Sequence, residues 1–468
     1  MTLKLAVVGG GWAGMAAAVS AAGPDVELTV FEAARELGGR ARALQAMRPD
    51  GVPLRLDNGQ HILIGAYRQA LSCMQQVGVP LSGSLLALPL GLPFPDGSGL
   101  QTPAWASRWP GTLALLAAMA TARGWSWSDR LALIRVAARW QRQGFACAPS
   151  DTVARLCDGL TAQVMADLIE PLCVSALNLP TRQASGQIFL RVMRDALLGE
   201  GFGGWRASSL LLPLSDLGNL FPESAARWLA DTLGARFRLC LGTRVAGLRP
   251  DRAGWHLQGT GIDDHFDQVI WATSASSASQ VMHQTATEAA GHGGGSWAQA
   301  LKDWADTCSR LSFTAITTVY TWSPGLRLDR PMLALRDAPE APAQFVFDRG
   351  QLSPQDPAMQ GVLAFVVSAS QGDRATLEHA VLRQARDQLG ASDLQPIQTV
   401  VEKRATFACT PGLRRPGAQL APGLQAAGDF LEGPYPATLE AAVRAGVTAG
   451  AQVRARVDSS RGQSLRPV

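Results

Sequence analysis

A glycine-rich turn near the start of the chain limits the fold more than any other feature. The apolar run Leu3–Val8 has the character of a buried strand and leads directly into this turn. The turn supplies Gly9, Gly11 and Gly14. A stretch of small residues suited to a helix follows, and a second apolar strand ends at Glu32. This strand, turn, helix and strand with a terminal acidic residue predict a dinucleotide-binding βαβ unit.

Each residue of this unit has a physical role. Gly9 permits the tight turn, Gly11 lets the backbone approach a pyrophosphate, and Gly14 lets the helix pack closely on the strand. The helix N-terminus supplies free N–H groups and a partial positive charge for the phosphates. Glu32 can accept hydrogen bonds from the ribose hydroxyls, and its charge disfavours a 2′-phosphate. We therefore expect these four residues to bind a dinucleotide.

The composition argues against several other classes of protein. The net charge is only +4 and no lysine- or arginine-rich run occurs, so we expect no nucleic-acid partner. The seven cysteines are scattered without a CxxC pair, which indicates reduced thiols in a cytoplasmic protein. The spacing of the histidines predicts no metal site. The first apolar run enters a glycine turn, so we expect no signal peptide.

Two further segments carry a resemblance to a known superfamily. Gly39 and Arg40 follow the first βαβ unit, and Gly428 and Asp429 lie close to the C-terminal end. Together with the glycine turn they resemble the FAD-binding segments of the flavin amine oxidase and phytoene desaturase superfamily. The resemblance implies that FAD is the cofactor and that Gly39 and Arg40 pass by its flavin and pyrophosphate. It places Gly428 and Asp429 at the pyrophosphate or ribityl chain.

Val245 matches the superfamily position whose backbone contacts the adenine. The alternative, that Val245 is an ordinary strand residue, stays open. The resemblance also implies that the helix after Asp429 directs its N-terminus toward the flavin, where a helix end stabilises negative charge.

The predicted fold class is α/β, with a Rossmann-like FAD-binding domain and a discontinuous α+β substrate-binding domain. We expect the FAD-binding domain to comprise residues 1–79, 213–273 and 401–458. The substrate-binding domain then comprises residues 80–212 and 274–400. It is expected to be partly helical.

Three segments narrow the resemblance to one family. They are residues 56–67, which include Asp-Asn-Gly-Gln-His from Asp57, residues 170–178, and residues 428–440, which include Asp-Phe-Leu-Glu-Gly-Pro from Asp429. Together they resemble the hydroxysqualene dehydroxylases of bacterial hopanoid biosynthesis, also described as squalene-associated FAD-dependent desaturases. The resemblance runs over nearly the whole chain and is clearest at both ends. It implies reductive removal of the allylic hydroxyl of hydroxysqualene, giving squalene with oxidation of FADH2.

This chemistry needs an apolar tunnel and one acid, because protonation of the oxygen weakens an allylic C–O bond. His61 and Tyr435 are the candidate catalytic acids, since both flank segments that should approach the isoalloxazine ring. A structural role for either residue stays open. We expect Asp57 to order its own turn by accepting hydrogen bonds from nearby N–H groups.

Two other functions stay open. An oxidative desaturase of a carotenoid or another polyprenoid would share the fold and the cofactor, with the electrons moving the other way. A flavin-free prenyl-binding carrier belongs to a different class, and it would not need the complete set of cofactor residues. An amine oxidase is disfavoured because the middle of the chain lacks the aromatic pattern of an amine-binding cage.

The apolar stretch of residues 112–122 raises the question of a membrane. It is too short to cross a bilayer, which takes about 20 residues. With Trp109, it is a candidate for peripheral contact with the inner face of the cytoplasmic membrane, from which a C30 hydrocarbon would enter. The alternative is that these residues are ordinary domain core. The sequence does not indicate the oligomeric state.

Overall fold

A six-stranded sheet forms the centre of the fold. The computed structural model describes residues 2–106, 109, 111–251, 254–291 and 295–464. Five neighbouring strands of the sheet are parallel and the sixth is antiparallel. In spatial order the strands are Phe237–Cys240, Val26–Phe31, Leu3–Val8, Gln268–Trp271, Leu424–Ala426 and Gln419–Ala421. The predicted Rossmann-like α/β fold is confirmed.

Both faces of this sheet are buried, as the apolar character of its strands predicts. Leu5 and Val7 pack in one core cluster while Ala6 and Val8 pack in another, because successive side chains point to opposite faces. One face carries the helices Trp12–Ala21, Arg68–Gln76, Pro222–Leu233 and Leu439–Ser464. The other carries a three-stranded antiparallel sheet of Val245–Asp251, Gly254–Gly259 and Ile262–Phe266.

Glycines allow the first and last helices to approach closely. A Cβ atom at Gly446 would lie 2.1 Å from the carbonyl oxygen of Ala13, and one at Gly450 would lie 2.4 Å from that of Ala17. No side chain fits at either position. Each helix follows a parallel strand, so both helices begin at the carboxyl edge of the sheet.

A second sheet of five antiparallel strands lies in the region predicted to bind substrate. In spatial order the strands are Met332–Ala334, Phe345–Asp348, Val362–Ser370, Phe313–Trp322 and Gln395–Phe407. Helix Arg374–Leu389 covers one face through Leu377 and Val381. The other face meets the Asp57 segment, since the Tyr320 hydroxyl donates a hydrogen bond of 2.9 Å to the carbonyl oxygen of Asp57.

Helices make up most of the remaining structure. The larger ones are Gly111–Thr121, Trp127–Arg142, Glu170–Leu177, Gly186–Leu198, Ala275–Gly291 and Gly295–Ser309. The short helices are Leu81–Ser84, Val153–Leu156, Ala162–Val164, Leu217–Leu220 and Arg349–Leu352, with a π turn at Met165–Ile169 and 3₁₀ turns at Ala104–Ala106, Gly234–Arg236 and Pro357–Met359. Within the described residues, no helix combines the length and the apolar character needed to cross a membrane.

Short strands complete the fold. They are the pair Ala43–Met47 and Pro53–Asp57, the triplet Leu63–Ile64, Leu210–Pro213 and Leu85–Leu88, and the pair Leu92–Pro93 and Gly99–Leu100. Strands Leu210–Pro213 and Gln395–Phe407 run across the boundaries at 212/213 and 400/401, and the division into domains stays a prediction. All seven cysteines are free thiols.

Candidate dinucleotide site

The parallel strands bring the predicted cofactor residues to one edge of the central sheet. Gly9 follows strand Leu3–Val8, Glu32 follows Val26–Phe31, and Gly428 comes shortly after Leu424–Ala426. Because these strands are parallel, their carboxyl ends meet at the same edge, where open α/β sheets bind ligands.

The three glycines of the turn differ in what surrounds them. Gly9 has φ of +114°, and a Cβ there would lie 2.5 Å from the carbonyl oxygen of Ala272. A Cβ at Gly14 would lie 1.8 Å from the carbonyl oxygen of Gly9. At Gly11 the nearest atom would be Cα of Gly39, at 3.9 Å. The packing of the protein therefore requires glycine at positions 9 and 14, whereas at position 11 it leaves space.

That space lies at the start of helix Trp12–Ala21. Gly11 is the N-cap residue, and no side chain caps the helix there. The N–H groups of the first turn are thus available to an outside acceptor. An open position above an uncapped helix N-terminus fits the pyrophosphate of a dinucleotide.

Glu32 is held by the backbone on both of its carboxylate oxygens. Oε2 accepts a hydrogen bond of 2.7 Å from the N–H of Gly10, and Oε1 accepts one of 2.8 Å from the N–H of Ala34. Each oxygen keeps a further lone pair, which is the chemistry a ribose diol needs. The N–H of Thr243 donates to the backbone carbonyl oxygen of Glu32 at 2.8 Å, and Val245 begins its strand two residues later. Its contact with an adenine stays a prediction.

The second glycine pair packs against the turn. The N–H of Gly38 donates to the carbonyl oxygen of Gly10 at 2.9 Å. Gly39 has φ of +62°, a left-handed conformation that favours glycine, and its Cβ position is 3.5 Å from Cα of Gly11. The residue that follows, Arg40, therefore starts next to the glycine turn.

Arg40 connects the two ends of the chain. Its Nη2 donates a hydrogen bond of 2.6 Å to Oδ1 of Asp429, and its Nη1 donates one of 2.7 Å to the carbonyl oxygen of Ala405. The negative charge of Asp429 raises the pKa of Arg40. Sequence alone predicts that each residue contacts the cofactor, and the structure shows that they also bind each other. Their contacts with a cofactor stay predictions.

The Asp-Asn-Gly-Gln-His segment lies beside Arg40. The side-chain amide of Asn58 donates to the carbonyl oxygen of Arg40 at 3.3 Å and to Oε2 of Glu402 at 3.1 Å. Nδ1 of His61 lies 2.8 Å from the carbonyl oxygen of Gly59. Burial lowers the pKa of His61, and the positive charge of Arg40 lowers it further. A neutral ring that donates from Nδ1 leaves Nε2 as an acceptor, so His61 must first gain a proton to act as an acid.

The expectation that Asp57 orders its own turn is wrong. Its carboxylate accepts a hydrogen bond of 2.8 Å from the N–H of Leu217, which is 160 residues away, and not from its own turn. The side chain is 1% exposed, and burial raises its pKa to about 6. The positive charge of Arg349, which is also buried, opposes this effect and lowers the pKa of Asp57. Arg349 also donates a hydrogen bond of 3.0 Å to Oε1 of Gln60.

Tyr435 lies at the other end of the candidate site, just before the last helix. Its hydroxyl donates a hydrogen bond of 2.5 Å to Oδ2 of Asp195. Burial raises its pKa to about 12. The guanidinium groups of Arg191 and Arg444 lie 5.8 and 6.0 Å from the ring centroid. Tyr435 also lines a cleft of about 390 Å³ together with Ile188 and Pro434.

The two candidate acids, His61 and Tyr435, have different hydrogen-bond partners. Within residues 2–106 and 295–464, no hydrogen bond links His61 to Tyr435. The hydroxyl of Tyr435 is protonated at neutral pH, whereas the ring of His61 is neutral. Their catalytic roles stay predictions.

Three polar residues near these candidates could not be found from sequence. Glu402 reaches Asn58 from 344 residues away, and Asp195 reaches Tyr435 from 240 residues away. Thr318 is 1% exposed, its Oγ1 atom has no hydrogen-bond partner, and this atom lies 3.8 Å from the Cβ position of Gly59. A buried hydroxyl without a partner next to this segment is free to bond an incoming group.

Comparisons with known proteins agree with this architecture. The family described as NAD(P)-binding Rossmann-like domain matches residues 7–77. Over 97 residues the chain is 37% identical to the carotenoid phi-ring synthase of Streptomyces griseus, a match that covers 21% of this chain and 18% of that protein. The chain thus spans less than a fifth of the length of this relative.

Solved structures match over almost the entire chain. A putative protoporphyrinogen oxidase from Exiguobacterium sp. 255-15 is 17% identical, with a TM-score of 0.64 over 97% of this chain and 99% of that one. An oxidoreductase from Methanosarcina mazei is 14% identical, with a TM-score of 0.66 over 96% and 99% of the two chains. Cyclohexylamine oxidase from Brevibacterium oxydans IH-35A is 17% identical, with a TM-score of 0.61 over 98% and 100%. The chain therefore has a Rossmann-like dinucleotide-binding domain within the mixed α/β fold of FAD-dependent oxidoreductases.

Proposed function

We propose that this protein is an FAD-dependent oxidoreductase that removes the allylic hydroxyl group of hydroxysqualene and produces squalene. One observation carries the proposal: the hydrogen bond between Arg40 and Asp429. Asn58 binds the backbone of Arg40, and the N–H of Ala437 donates to the carbonyl oxygen of Asp429 at 3.2 Å. Through Arg40, the two segments that most resemble the hydroxysqualene dehydroxylases are thus linked beside the glycine turn at which we propose that FAD binds.

The residues present fit FAD. Gly11 leaves room for the pyrophosphate at an uncapped helix N-terminus, and Glu32 keeps acceptor positions for the ribose. Gly9, Gly14 and Gly39 shape the turn around that space, while Gly428 and Asp429 lie at the same sheet edge. FAD, when bound and reduced, supplies the hydride that replaces the hydroxyl group.

The chain must supply a proton to the leaving oxygen. In the proposed reaction the allylic C–O bond breaks, the oxygen leaves as water, and a C–H bond forms at the same carbon. The two electrons come from the reduced flavin, and the proton that completes water comes from an acid of the chain. Tyr435 carries a proton at neutral pH and shares it with Asp195, whereas His61 would act only in its protonated form. Either residue is a proposed donor.

The test is a product assay without oxygen. The holoprotein is reduced, mixed with hydroxysqualene under anaerobic conditions, and the lipid extract is analysed for squalene. The proposal expects squalene in amounts that match the reduced flavin consumed. If no squalene forms while the flavin stays reduced, the proposed reaction is wrong.

A second candidate function is favoured by the match to the carotenoid phi-ring synthase. In this alternative the protein oxidises a carotenoid or another polyprenoid, and the flavin accepts hydride where it donates hydride in the first proposal. The two functions differ in electron direction. Oxidised holoprotein incubated with a carotenoid precursor would then give a product with an additional double bond and a bleached flavin, and hydroxysqualene would remain unchanged.

A further inference from the structure

Exposed apolar side chains are concentrated in one part of the fold. Ten large hydrophobic residues are strongly exposed among the described residues, and seven of them lie between positions 105 and 134. These seven are Trp105, Trp109, Leu113, Leu116, Trp127, Leu131 and Ile134. We call this set, on helices Gly111–Thr121 and Trp127–Arg142 and the segment before them, the apolar helix surface. Scattered single residues would need no explanation, but a concentration of this kind marks an interaction site.

Helix Trp127–Arg142 is apolar on two opposite faces. Leu133, Val136 and Trp140 are buried against the protein. Trp127, Leu131 and Ile134 lie at intervals of four and three residues and so share the opposite face. Trp127 is 75% exposed, more than any other large hydrophobic residue that the structure describes. One apolar face of the helix packs against the protein, and the opposite apolar face is left exposed.

Arg130 joins the two helices of this surface. Its Nε donates to the carbonyl oxygen of Met119 at 3.0 Å, and its Nη2 donates to that of Ala122 at 2.9 Å. Its guanidinium group also lies 5.2 Å from the ring centroid of Trp127. The end of the first helix and the exposed start of the second are thereby fixed to each other.

The segment that carries the surface has a positive net charge. Residues 101–150 contain six arginines and a single acidic residue, Asp129. Asp129 is buried and accepts a hydrogen bond of 2.7 Å from the N–H of Ser126 as part of a helix cap, so its charge is used inside the fold. Arg135 and Arg142 are exposed on the same helix as the apolar stripe. They lie at its side, where a bilayer surface would place its headgroups.

We propose that the apolar helix surface docks the protein on a bilayer that contains anionic lipids. Tryptophan and leucine are the side chains that enter the interface, and flanking arginines bind anionic headgroups. A second copy of this chain fits less well, because a twofold interface would pair two surfaces that carry the same positive charge. The docking does not depend on which reaction the protein catalyses, and its test uses no substrate.

Flotation with vesicles tests the docking. The full chain is mixed with vesicles of phosphatidylcholine alone, or of equal parts phosphatidylcholine and phosphatidylglycerol, and the bound fraction is measured. We expect binding to the mixed vesicles. Leu131→Ser with Ile134→Ser should weaken this binding about ten-fold or more. Arg135→Gln with Arg142→Gln should weaken it at least about five-fold and leave the small affinity for neutral vesicles unchanged.

A matched double variant controls for loss of apolar surface in general. Met47 and Leu198 are 58% and 54% exposed and lie outside the apolar helix surface, so Met47→Ser with Leu198→Ser should bind vesicles as the parent does. Equal binding by the two serine pairs would overturn the proposal. So would a dimer in the absence of vesicles that Leu131→Ser with Ile134→Ser converts to a monomer, since the surface would then serve self-association.

Discussion

Arg40 and Asp429 lie 389 residues apart in the sequence, and a hydrogen bond of 2.6 Å joins Nη2 of the first to Oδ1 of the second. The Asp429 side chain is 9% exposed and that of Arg40 is 35% exposed. The pair connects the segment after the first βαβ unit to the turn before the last helix. The stability of the candidate site should therefore depend on both residues together.

A double-mutant cycle measures this dependence. Arg40→Met and Asp429→Asn should each lower the free energy of unfolding by about 1–2 kcal/mol, and the double variant should lose less than the sum, with a coupling of about 1 kcal/mol. Urea denaturation gives the four values. The exposed pair Arg238 and Asp264 is the control, and there we expect a coupling of about 0.5 kcal/mol or less. Equal couplings would contradict the structural role.

The glycine turn gives a prediction that separates binding from folding. Gly11→Val should leave the melting temperature of the apoprotein nearly unchanged, because the nearest protein atom to its Cβ lies 3.9 Å away. The same substitution should abolish FAD binding, since the side chain fills the space assigned to the pyrophosphate. Gly14→Ala is the contrasting variant, and it should destabilise the protein itself because of the carbonyl oxygen at 1.8 Å. Unchanged FAD affinity in Gly11→Val would refute the turn as the binding site.

Asp57 predicts a specific dependence of stability on pH. Burial raises its pKa in the folded protein to about 6, above the unfolded value near 3.9. The folded state therefore binds this proton more tightly, and stability should fall as pH rises from about 4 to about 6. By the time the pH exceeds 6, this effect has lowered the free energy of unfolding by about 3 kcal/mol in total. Asp57→Asn keeps an acceptor for Leu217, and urea denaturation of this variant at pH 4.5 and 7 should lack this part of the change. An identical pH dependence in both proteins would show that Asp57 is not the group involved.

Tyr435 is tested by removing only its hydroxyl group. If it donates the proton, Tyr435→Phe should lower kcat by about 100-fold or more with FAD fully retained. Tyr67→Phe serves as the control, because the Tyr67 ring lies 6.4 Å from the Tyr435 ring, centroid to centroid, and has no assigned role in proton transfer. Activity of Tyr435→Phe equal to that of Tyr67→Phe would exclude Tyr435 as the acid.

His61 is tested by the pH profile of turnover. Burial lowers its pKa below the ordinary value of about 6.5, so the protonated form gains population only as pH falls below that value. If His61 is the acid, kcat should rise as pH decreases through this range, and His61→Ala should lower kcat and abolish the rise while FAD stays bound. A fully active His61→Ala variant with the parent profile would remove the residue from this role.

The dinucleotide turn could be predicted from sequence because its causes are local. The positive φ of Gly9 and the close contact of Gly14 arise within one strand, one turn and one helix. The hydrogen bonds from Asn58 to Glu402 and from Tyr435 to Asp195 could not be predicted, since they depend on how distant strands and helices are placed. Nothing in the local pattern around Glu402 or Asp195 indicates these partners.

The exposure of the apolar helix surface could not be predicted from sequence either. Helix Trp127–Arg142 has apolar residues on two opposite faces, and the sequence alone does not tell which of the two is buried. For residues 112–122 the sequence leaves membrane contact and domain core open. The structure shows that Leu113 and Leu116 are exposed and that Ala114 and Ala118 are buried, and membrane contact by the exposed residues stays a proposal.

A visible absorption spectrum shows whether the N-terminal glycine turn and its partners hold FAD. The purified chain is incubated with FAD, passed through gel filtration, and its flavin absorbance is compared with its protein absorbance. We expect one flavin per chain in the protein peak of the parent protein and none in that of Gly11→Val. A folded parent protein that leaves the column colourless would contradict this expectation.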